Sequence, residues 1–237
     1  MKAPEIVVEV LKMLKKAAKE GVPTKSLDKM AEELIKKRGG ESCNKGYKPT
    51  WAKSPFPATV CISVNDEIVH GIPSSYKLKD GDLVNFDLGV KKDGLCADSA
   101  ISVPIGEISR QDEWLLRVAR ECLEAALSIV KAGIMVNEIG EEVERRATKY
   151  NHVSVRSFSG HGIGGEMHQG VAIPNYNDEN AKDILYIGDW ICIEPQVTRK
   201  DKYGIPVNSW TWKTRDERKS AYYEAMIEVS KNGFDFM

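Results

Sequence analysis

Two stretches of this chain repeat one unusual pattern, a Gly-Asp pair followed by an apolar run that contains an acid. Residues 81–90 read GDLVNFDLGV and residues 188–197 read GDWICIEPQV, so that Asp87 and Glu194 each stand six positions after their glycine. The β-prone apolar residues predict that each run is a buried strand. An ionised carboxylate in a buried strand costs on the order of several kcal/mol unless a partner cancels its charge. That requirement constrains the fold of this chain strongly.

The first of these runs continues into a hairpin pattern. Lys91-Lys92-Asp93-Gly94 is typical of a tight turn, and a second short strand then carries Asp98. We expect Asp87 and Asp98 to face each other on paired strands, where they repel unless a cation lies between them. The alternative for Asp87 alone is an aspartate that bonds to the backbone at a strand kink.

Further repeats predict two related halves, about 1–107 and 108–237, within one domain that spans residues 1–237. His70-Gly71-Ile72 is echoed by His161-Gly162-Ile163, and Glu20-Gly21-Val22 by Ala132-Gly133-Ile134. We expect the halves to pack face to face and to pool their acids and histidines. A pattern seen only twice does not suit a solenoid.

Composition excludes several classes of protein. A chain of 237 residues with 42% hydrophobic and 29% charged residues is typical of a soluble globular enzyme. A net charge of -1 predicts no general attraction for nucleic acid or anionic membranes. The sequence contains no run of about eighteen apolar residues, which is the length that a bilayer-spanning helix needs. Five cysteines without a CxxC pair favour a reducing compartment, so we expect a cytoplasmic protein.

Helical and strand patterns are both present, which predicts an α+β fold. Helices are predicted over 4–19, over a segment capped by Thr24 or Ser26, over a long segment around 114–130, and from a cap at Asn137 to residue 150. Strands are predicted at 59–65, 152–158, 170–173, 190–194, 210–214 and 222–229. The loop over 41–58 contains Tyr47, Trp51 and Phe56, which either cover the edge of the core or line a pocket.

Four acids and one histidine are candidates for chemistry: Asp87, Asp98, His161, Glu194 and Glu224. Each lies in or beside an apolar or glycine-rich stretch. Four converging carboxylates without a cation would lose their charges or unfold the site. Two divalent cations, held roughly 3.5–4 Å apart, suit such a ligand set and hydrolyse substrates through a bridging hydroxide. The residues themselves therefore predict a dinuclear hydrolase.

The ordered motifs of this chain resemble those of the type I methionine aminopeptidases, from about residue 20 onward. The matching pieces are VCISVNDEIVHGIP (60–73), DGDLVNFDLGVKKDGLCAD (80–98), SGHGIG with a later histidine (159–168), ICIEPQV (191–197) and SWTWKT followed by SAYYE (209–224). This resemblance implies the pita-bread fold, in which two pseudosymmetric halves form a curved antiparallel sheet covered by helices.

The resemblance also implies a role for each candidate residue. Asp87 corresponds to a carboxylate that chelates one metal ion, and Asp98 and Glu224 correspond to bridging acids. His161 and Glu194 correspond to ligands of the second ion, with Glu194 also shuttling a proton. His70 and His168 match non-ligand histidines that contact the peptide group of the substrate. From the residues alone, the favoured interpretation of His168 is a solvent-facing loop histidine, and His70 and His161 stay undecided.

A pocket for a methionine side chain is implied by six further positions: Cys43, Tyr47, Phe56, Cys61, Met167 and Trp210. Sulfur and aromatic surfaces suit a thioether, with contacts worth about 0.3–1.5 kcal/mol. The alternative for Cys61 and Trp210 is a purely structural place in the core.

Four features depart from the usual pattern of this family. Tyr222 stands where glutamine is usual and Ala225 where histidine is usual, both beside the candidate ligand Glu224. Met167 replaces an aromatic residue, and residues 49–54 resemble an insertion between two pocket aromatics. We expect the first two changes to alter the surroundings of the metal ligands.

The implied function is removal of the initiator methionine from nascent polypeptides whose second residue is small. The implied cofactors are two divalent ions, with Co, Mn, Fe and Zn all compatible with the ligands. We expect a monomer that contacts nascent N-termini and, transiently, the ribosome, without binding nucleic acid or membrane. The alternatives are another pita-bread peptidase, specific for proline, and a non-catalytic module that binds peptides.

Overall fold

The structure, a computed structural model, describes residues 1–237. Its four helices are α1 (Ala3–Ala17), α2 (Thr24–Lys37), α3 (Arg110–Ile129) and α4 (Val136–Lys149). The strands are β1 (Glu41–Ser42), β2 (Cys61–Val64), β3 (Glu67–Val69), β4 (Leu83–Lys92), β5 (Leu95–Pro104), β6 (Val153–Ser154), β7 (Ser159–Gly162), β8 (Gln169–Pro174), β9 (Trp190–Ile193), β10 (Val197–Thr198), β11 (Ile205–Pro206), β12 (Trp212–Lys213), β13 (Ala225–Ser230) and β14 (Gly233–Phe236). The strand pairs are antiparallel, and the predicted α+β class is confirmed.

None of the four helices is both long and apolar enough to cross a bilayer.

The longest strands, β4 and β5, form the predicted hairpin. Leu83 pairs with Pro104 at one end of it and Lys92 with Leu95 at the other. The turn consists of Asp93 and Gly94, with φ of 51° and 82°. Two-residue hairpin turns require such left-handed values, which aspartate and glycine tolerate. The turn therefore fixes the register in which the two candidate aspartates face each other.

Each pair of helices packs on its own sheet. Helices α1 and α2 cover β4 and β5 through a buried cluster that includes Leu14 and Phe86. Helices α3 and α4 cover a five-stranded sheet with the order β14-β13-β9-β7-β8, through a second cluster that includes Val143 and Ile191. Each large apolar side chain that is fully buried contributes about 1.5–3 kcal/mol. The two sheets contact each other through β5 and β13.

The two Gly-Asp pairs of the sequence occupy matching places in the two sheets. Gly81 and Gly188, which precede β4 and β9, have φ of 86° and 88°. Each N–H donates across a 2.8 Å hydrogen bond, from Gly81 to the carbonyl of Ile105 and from Gly188 to that of Val229. Glycine accommodates this left-handed backbone because it has no Cβ. The same backbone contact therefore precedes β4 and β9.

Several predicted boundaries are wrong because tertiary contacts override local signals, and the strand predicted over 210–214 is reduced to Trp212–Lys213. The strand predicted over 152–158 ends at Ser154, since the N–H of Arg156 donates to the carbonyl of Lys202 in a loop instead. Neither Thr24 nor Ser26 caps α2, because Thr24 is its first residue and its hydroxyl donates to the carbonyl of Ser74. Helix α4 begins at Val136, ahead of the cap predicted at Asn137.

Glu224 lies just before β13 and not inside a strand as predicted. Its N–H donates to the carbonyl of Ala100 on β5, at 3.0 Å. The hydroxyl of Ser99, also on β5, donates to the carbonyl of Glu224 at 2.7 Å. The segment thus crosses from one sheet to the other and brings the Glu224 carboxylate to the β4–β5 hairpin.

Candidate metal centre and substrate cavity

Asp87 and Asp98 lie on the same face of the β4–β5 hairpin. Asp98 pairs with Gly89, and Asp87 pairs with Ala100, so that the two aspartates are diagonal neighbours. Side chains at such positions are within reach of one another across the strands. A Cβ at position 89 would lie 2.9 Å from Cβ of Cys43 and 3.0 Å from Cε of Met167. Glycine at this position therefore leaves the space that the neighbouring side chains fill.

The second sheet supplies the other three candidates. His161 on β7 pairs with Cys192 on β9, and Glu194 directly follows β9. Ala225, which follows Glu224, pairs with Ile193. The structure thus brings together all five residues predicted from the sequence, two from the hairpin of the first half and three from the second half.

The spacing of these side chains suits a cation. Nε2 of His161 lies 3.9 Å from Oδ2 of Asp98, 3.9 Å from Oε1 of Glu194 and 4.0 Å from Oε1 of Glu224. These distances are too long for hydrogen bonds. Donor atoms that share one ion at metal–ligand distances near 2.1 Å are about 3–4 Å apart. Ligand atoms of Asp87, Asp98 and Glu224 also all lie within 4.8 Å of one another.

Two buried oxygens at the centre of the cluster have no hydrogen-bond donor, Oδ1 of Asp98 and Oε1 of Glu224. Burial raises the pKa of Asp87 to about 6. Burial and the charges of the neighbouring acids raise the pKa of Asp98, Glu194 and Glu224 well above the ordinary range. Four neighbouring acids with raised pKa values must either bind protons or have their negative charges neutralised by cations. The oxygen and imidazole donors fit divalent metal ions.

Cys192 is close enough to His161 and Glu224 to join a metal group. Burial, together with the charge of Glu224, raises the pKa of its thiol well above the ordinary range. A soft thiolate suits a different class of metal site from the oxygen-rich set that the four acids and His161 form. The thiol is instead suited to a hydrogen bond with the carboxylate.

Two of the acids are held by buried donors. Nε2 of Gln196 donates to Oε2 of Glu194 at 2.6 Å, and Nδ2 of Asn175 donates to Oε1 of Gln196 at 2.9 Å. The hydroxyl of Tyr222 donates to Oδ2 of Asp87 at 3.1 Å. Such contacts orient metal ligands and limit the positions that their free oxygens adopt.

A cavity of about 340 Å³ opens onto the acids, and all five candidate ligands line it. Seven of the eight residues predicted to contact substrate also line it, namely Tyr47, Phe56, Cys61, His70, Met167, His168 and Trp210. Cys43 does not line it; its Cβ lies 2.9 Å from the place that a Cβ at position 89 would occupy, and its neighbour Asn44 lines the cavity instead. Nδ2 of Asn44 is 3.5 Å from the sulfur of Cys61, and its Oδ1 accepts from the N–H of Gly89 at 2.7 Å.

Aromatic rings surround Trp210 at the wall of the cavity. The ring of Phe56 lies 5.2 Å from it and that of Trp51 lies 5.0 Å from it, both edge to face. The indole N–H of Trp210 donates to the carbonyl of Ser54 at 3.0 Å. Residues 49–54, the predicted insertion, are thereby attached to the cavity. Trp51 itself is 57% exposed and stacks on His70, with ring centres 6.0 Å apart.

The two histidines outside the ligand set differ in their surroundings. His70 has a left-handed backbone with φ of 56°, and its Nδ1 is buried without a partner. Burial lowers the pKa of His70 to about 4, so that the imidazole is neutral at physiological pH. His168 is exposed, stacks on Tyr47 with ring centres 5.2 Å apart, and lies 4.1 Å from the ring of His161. Its exposure matches the solvent-facing alternative, yet its ring lines the cavity.

Several cavity residues were not predicted. Asn44, Val69, Ser157, Phe158 and Ser159 all line the cavity. Phe158 packs edge to face on His70 at 5.7 Å. No local pattern distinguishes these residues from ordinary loop or core positions. For Trp51 the only indication was its place among the aromatic residues of a long loop. That pattern did not distinguish a residue that covers the edge of the core from one that lines a pocket.

A larger depression of about 870 Å³ lies elsewhere and contains none of the five candidate ligands. Basic residues, among them Arg110, Arg199 and Lys200, line it together with Asp112 and Glu217. Size alone therefore does not identify the functional cavity, and the smaller cavity holds the buried acids.

Known proteins with similar sequences are methionine aminopeptidases. Methionine aminopeptidase 1 of Bacillus subtilis is 37% identical over 236 residues, which cover 99% of this chain and 93% of that protein. The methionine aminopeptidase of Aquifex aeolicus is 36% identical over 240 residues, which cover 98% of this chain and 92% of that protein.

Solved structures agree with these sequence comparisons. Methionine aminopeptidase from Rickettsia prowazekii matches with a TM-score of 0.93 at 30% identity, over 99% of this chain and 93% of that chain. A prolidase from Pyrococcus furiosus matches with a TM-score of 0.76 at 21% identity and is covered over only 60% of its length, so it shares the fold alone. The predicted pita-bread fold is confirmed. The model of metallopeptidase family M24 matches residues 1–231, and the chain belongs to this family.

Proposed function

We propose that this chain is a metal-dependent aminopeptidase that removes the N-terminal methionine from polypeptides whose second residue is small. The observation that carries the proposal is the cluster of five buried or half-buried ligands at the end of a cavity with sulfur and aromatic walls. The methionine aminopeptidases that match nearly the whole chain support the same activity.

The metal ligands in this proposal are Asp87, Asp98, His161, Glu194 and Glu224. Asp87 would hold one divalent ion, His161 and Glu194 would hold a second, and Asp98 and Glu224 would serve as the bridging acids. The unpartnered oxygens of Asp98 and Glu224 suit the bridging role, because they lack any competing hydrogen bond. Mn, Fe, Co and Zn all accept this set of oxygen and nitrogen donors.

The chemistry that bound divalent ions supply is polarisation of the peptide carbonyl and a lowered pKa, towards roughly 7, for a nearby water. Glu194 would accept a proton from the attacking water and return it to the departing nitrogen. Gln196 keeps Glu194 in place for both steps, because it holds Oε2 and leaves Oε1 facing His161. The same carboxylate can therefore act first as a base and then as an acid.

His70 and His168 bind the peptide group of the substrate. His70 is neutral, and a neutral imidazole with a proton on the nitrogen that faces the cavity can donate to a carbonyl oxygen as negative charge develops there. Stacking on Trp51 and edge contacts with Phe158 and Trp210 hold the ring of His70. The stack of His168 on Tyr47 orients the second imidazole.

The methionine side chain binds among Tyr47, Phe56, Cys61, Met167 and Trp210. Thioether sulfur makes favourable contacts with aromatic rings, worth about 0.3–1.5 kcal/mol each. Met167 supplies a flexible apolar surface where it replaces an aromatic residue. Asn44, with its amide directed at Cys61, forms the polar limit of this pocket.

The domain in this proposal spans residues 1–237, with halves of about 1–107 and 108–237 that both contribute ligands. The protein acts as a cytoplasmic monomer on nascent N-termini, with transient contact to the ribosome. Light scattering of the purified protein tests the monomer, because a dimer would double the measured mass.

Release of the first residue from Met-Ala-Ser and Pro-Ala-Ser peptides tests the activity. Metal-stripped protein receives Mn²⁺, Co²⁺ or Zn²⁺, and we expect cleavage of Met-Ala-Ser only when metal is present. Release of the first residue from a third peptide, Ala-Pro-Ser, would instead favour an Xaa-Pro peptidase, to which only a likeness of fold points. Metal binding without cleavage of any of these peptides would favour the non-catalytic alternative.

A further inference from the structure

Tyr222 is a fully buried tyrosine whose hydroxyl reaches the metal centre. Its exposed fraction is 0%, and its ring packs among Ile68, Ala100 and Val155. The hydroxyl donates to Oδ2 of Asp87 at 3.1 Å. A buried phenol in apolar surroundings needs a hydrogen-bond partner, and the carboxylate of Asp87 satisfies that need.

The backbone of Tyr222 is fixed at the same time. Its N–H donates to the hydroxyl of Ser102 on β5 at 3.0 Å, and that hydroxyl donates to the carbonyl of Tyr222 at 2.8 Å. With the backbone held to β5 and the ring packed, the hydroxyl has little freedom to move. Asp87 on β4 therefore receives a donor from a rigid support.

The hydrogen bond gives the two carboxylate oxygens of Asp87 different roles. Oδ2 is engaged by Tyr222, which leaves Oδ1 as the oxygen without a competing side-chain donor. Glu194 has the same arrangement, with Oε2 engaged by Gln196. The bridging candidates Asp98 and Glu224 each retain a buried oxygen with no partner. The other two acids, Asp87 and Glu194, are thus each oriented by one neutral donor. The donor is the phenol of Tyr222 for Asp87 and the amide of Gln196 for Glu194.

We propose that Tyr222 is a positioning residue for the metal ligand Asp87, fixing the carboxylate so that one oxygen is presented to a divalent ion. This inference rests on the ligand role that the proposed function gives to Asp87. Tyr222 contacts neither the substrate cavity nor the other ligands through a hydrogen bond, so its effect on the reaction passes through Asp87.

Loss of a hydrogen bond that orients a metal ligand typically weakens metal binding by about 10–100-fold. Tyr222→Phe removes one oxygen atom and keeps the buried ring. We expect this variant to bind Mn²⁺ at least about tenfold more weakly than the original protein, as measured by isothermal titration of metal-stripped protein. Saturating Mn²⁺ is expected to restore most of the cleavage of Met-Ala-Ser, because the ligands themselves are intact.

Tyr223→Phe is the matched control. The hydroxyl of Tyr223 donates to the backbone carbonyl of Ser102 at 3.3 Å and not to a carboxylate. Tyr223→Phe therefore removes the same hydroxyl oxygen as Tyr222→Phe, but from a residue that does not contact a candidate ligand through it. We expect unchanged affinity for Mn²⁺ in this control. Equal affinity in Tyr222→Phe and the original protein would overturn the inference, and so would equal losses in both variants.

A double-mutant cycle with Asp87→Ala, which removes the acceptor of the Tyr222 hydroxyl, separates positioning from a general effect on the fold. If Tyr222 acts through Asp87, adding Tyr222→Phe to Asp87→Ala weakens Mn²⁺ binding no further. Independent, additive losses would overturn the inference even if Tyr222→Phe lowered stability. Failure of the original protein to cleave Met-Ala-Ser, with the expected metal affinities intact, would contradict the proposed function and leave the role of Tyr222 standing.

Discussion

Nε2 of Gln196 lies 2.6 Å from Oε2 of Glu194, while Asn175 donates to the other end of the Gln196 amide. Both Gln196 and Asn175 are buried. This chain of amides holds the acid that transfers the proton in the proposed mechanism. An amide that is itself held by an amide has one orientation in which all of its bonds are made.

Replacing Gln196 by leucine is expected to lower kcat/KM for Met-Ala-Ser by about tenfold or more, because Glu194 loses its orienting donor. The measurement is steady-state cleavage at saturating Mn²⁺. Gln111→Leu, at an exposed position on α3, serves as control and is expected to retain full activity. Full activity in Gln196→Leu would show that Glu194 needs no such support.

Asp98→Ala is expected to abolish metal-dependent activity while leaving the fold intact. Asp98 is a proposed bridging ligand, and its buried charge is repelled by Asp87. Its removal therefore takes away no favourable side-chain hydrogen bond in the metal-free protein. Activity assays and thermal unfolding check both halves of this expectation, with Asp235→Ala, exposed on β14, as control. Retained activity would contradict the two-metal mechanism.

Metal affinity is expected to fall as the pH falls, because Asp98, Glu194 and Glu224 also have raised pKa values, and to fall more steeply below about pH 6. Burial raises the pKa of Asp87 to about 6, so below that pH a metal ion must displace a proton from the carboxylate. Each displaced proton weakens the apparent affinity by about tenfold per pH unit, because ligands bind metal in their deprotonated form. Isothermal titration with Mn²⁺ between pH 5 and 8 measures this dependence. An affinity that is flat across this range would contradict a proton-bearing Asp87.

His70→Ala is expected to lower kcat by about 100-fold, the typical loss of one donor to a developing oxyanion. Because the pKa of His70 is lowered to about 4, protonation of His70 occurs only as the pH falls towards 4, and its neutral form persists from pH 5 to 8. The pH profiles of kcat for the original protein and the variant should therefore have the same shape in this range. A profile that changes shape on substitution would show that His70 titrates there.

Trp51→Ala is expected to raise KM for Met-Ala-Ser with little effect on stability. Trp51 is 57% exposed, and exposed positions usually change the free energy of unfolding by no more than about 0.5 kcal/mol. Its stack on His70 at the cavity nevertheless provides apolar surface for the peptide. Trp114→Ala, at a partly exposed tryptophan on α3 outside this cavity, is the control. Equal KM values in all three proteins would exclude Trp51 from substrate binding.

The acids of the site were predictable because each is a charged residue in or beside an apolar stretch, where an uncompensated charge is unfavourable. Asp87 interrupts a buried apolar strand, and Glu194 repeats that interruption in a duplicated frame. The Asp93-Gly94 turn then fixed where Asp98 would lie. Charge inside an apolar run is a strong signal, because it persists only with a compensating partner.

The rest of the site depends on contacts between distant segments. Asn44 lines the cavity and Cys43 does not, and nothing in residues 41–58 distinguishes the two side chains. Phe158 reaches His70 because the chain leaves the sheet after Ser154, which the apolar pattern over 152–158 did not indicate. Tyr222 was marked as unusual by resemblance, but its bond to Asp87 joins residues 135 positions apart.

The crossing of the Glu224 segment onto β5 has a consequence for the order of folding. Asp87 and Asp98 are joined by a tight turn, and hairpins of this kind form in about 1–10 μs. The bond from Ser99 to Glu224 spans 125 positions, and contacts of such separation form late. An intermediate with the hairpin alone carries two facing aspartates and lacks the acid that lies between the sheets. Capture of metal by all five candidate ligands therefore requires the Glu224 segment to dock on β5, so the complete ligand set exists only once contacts between distant parts of the chain are made.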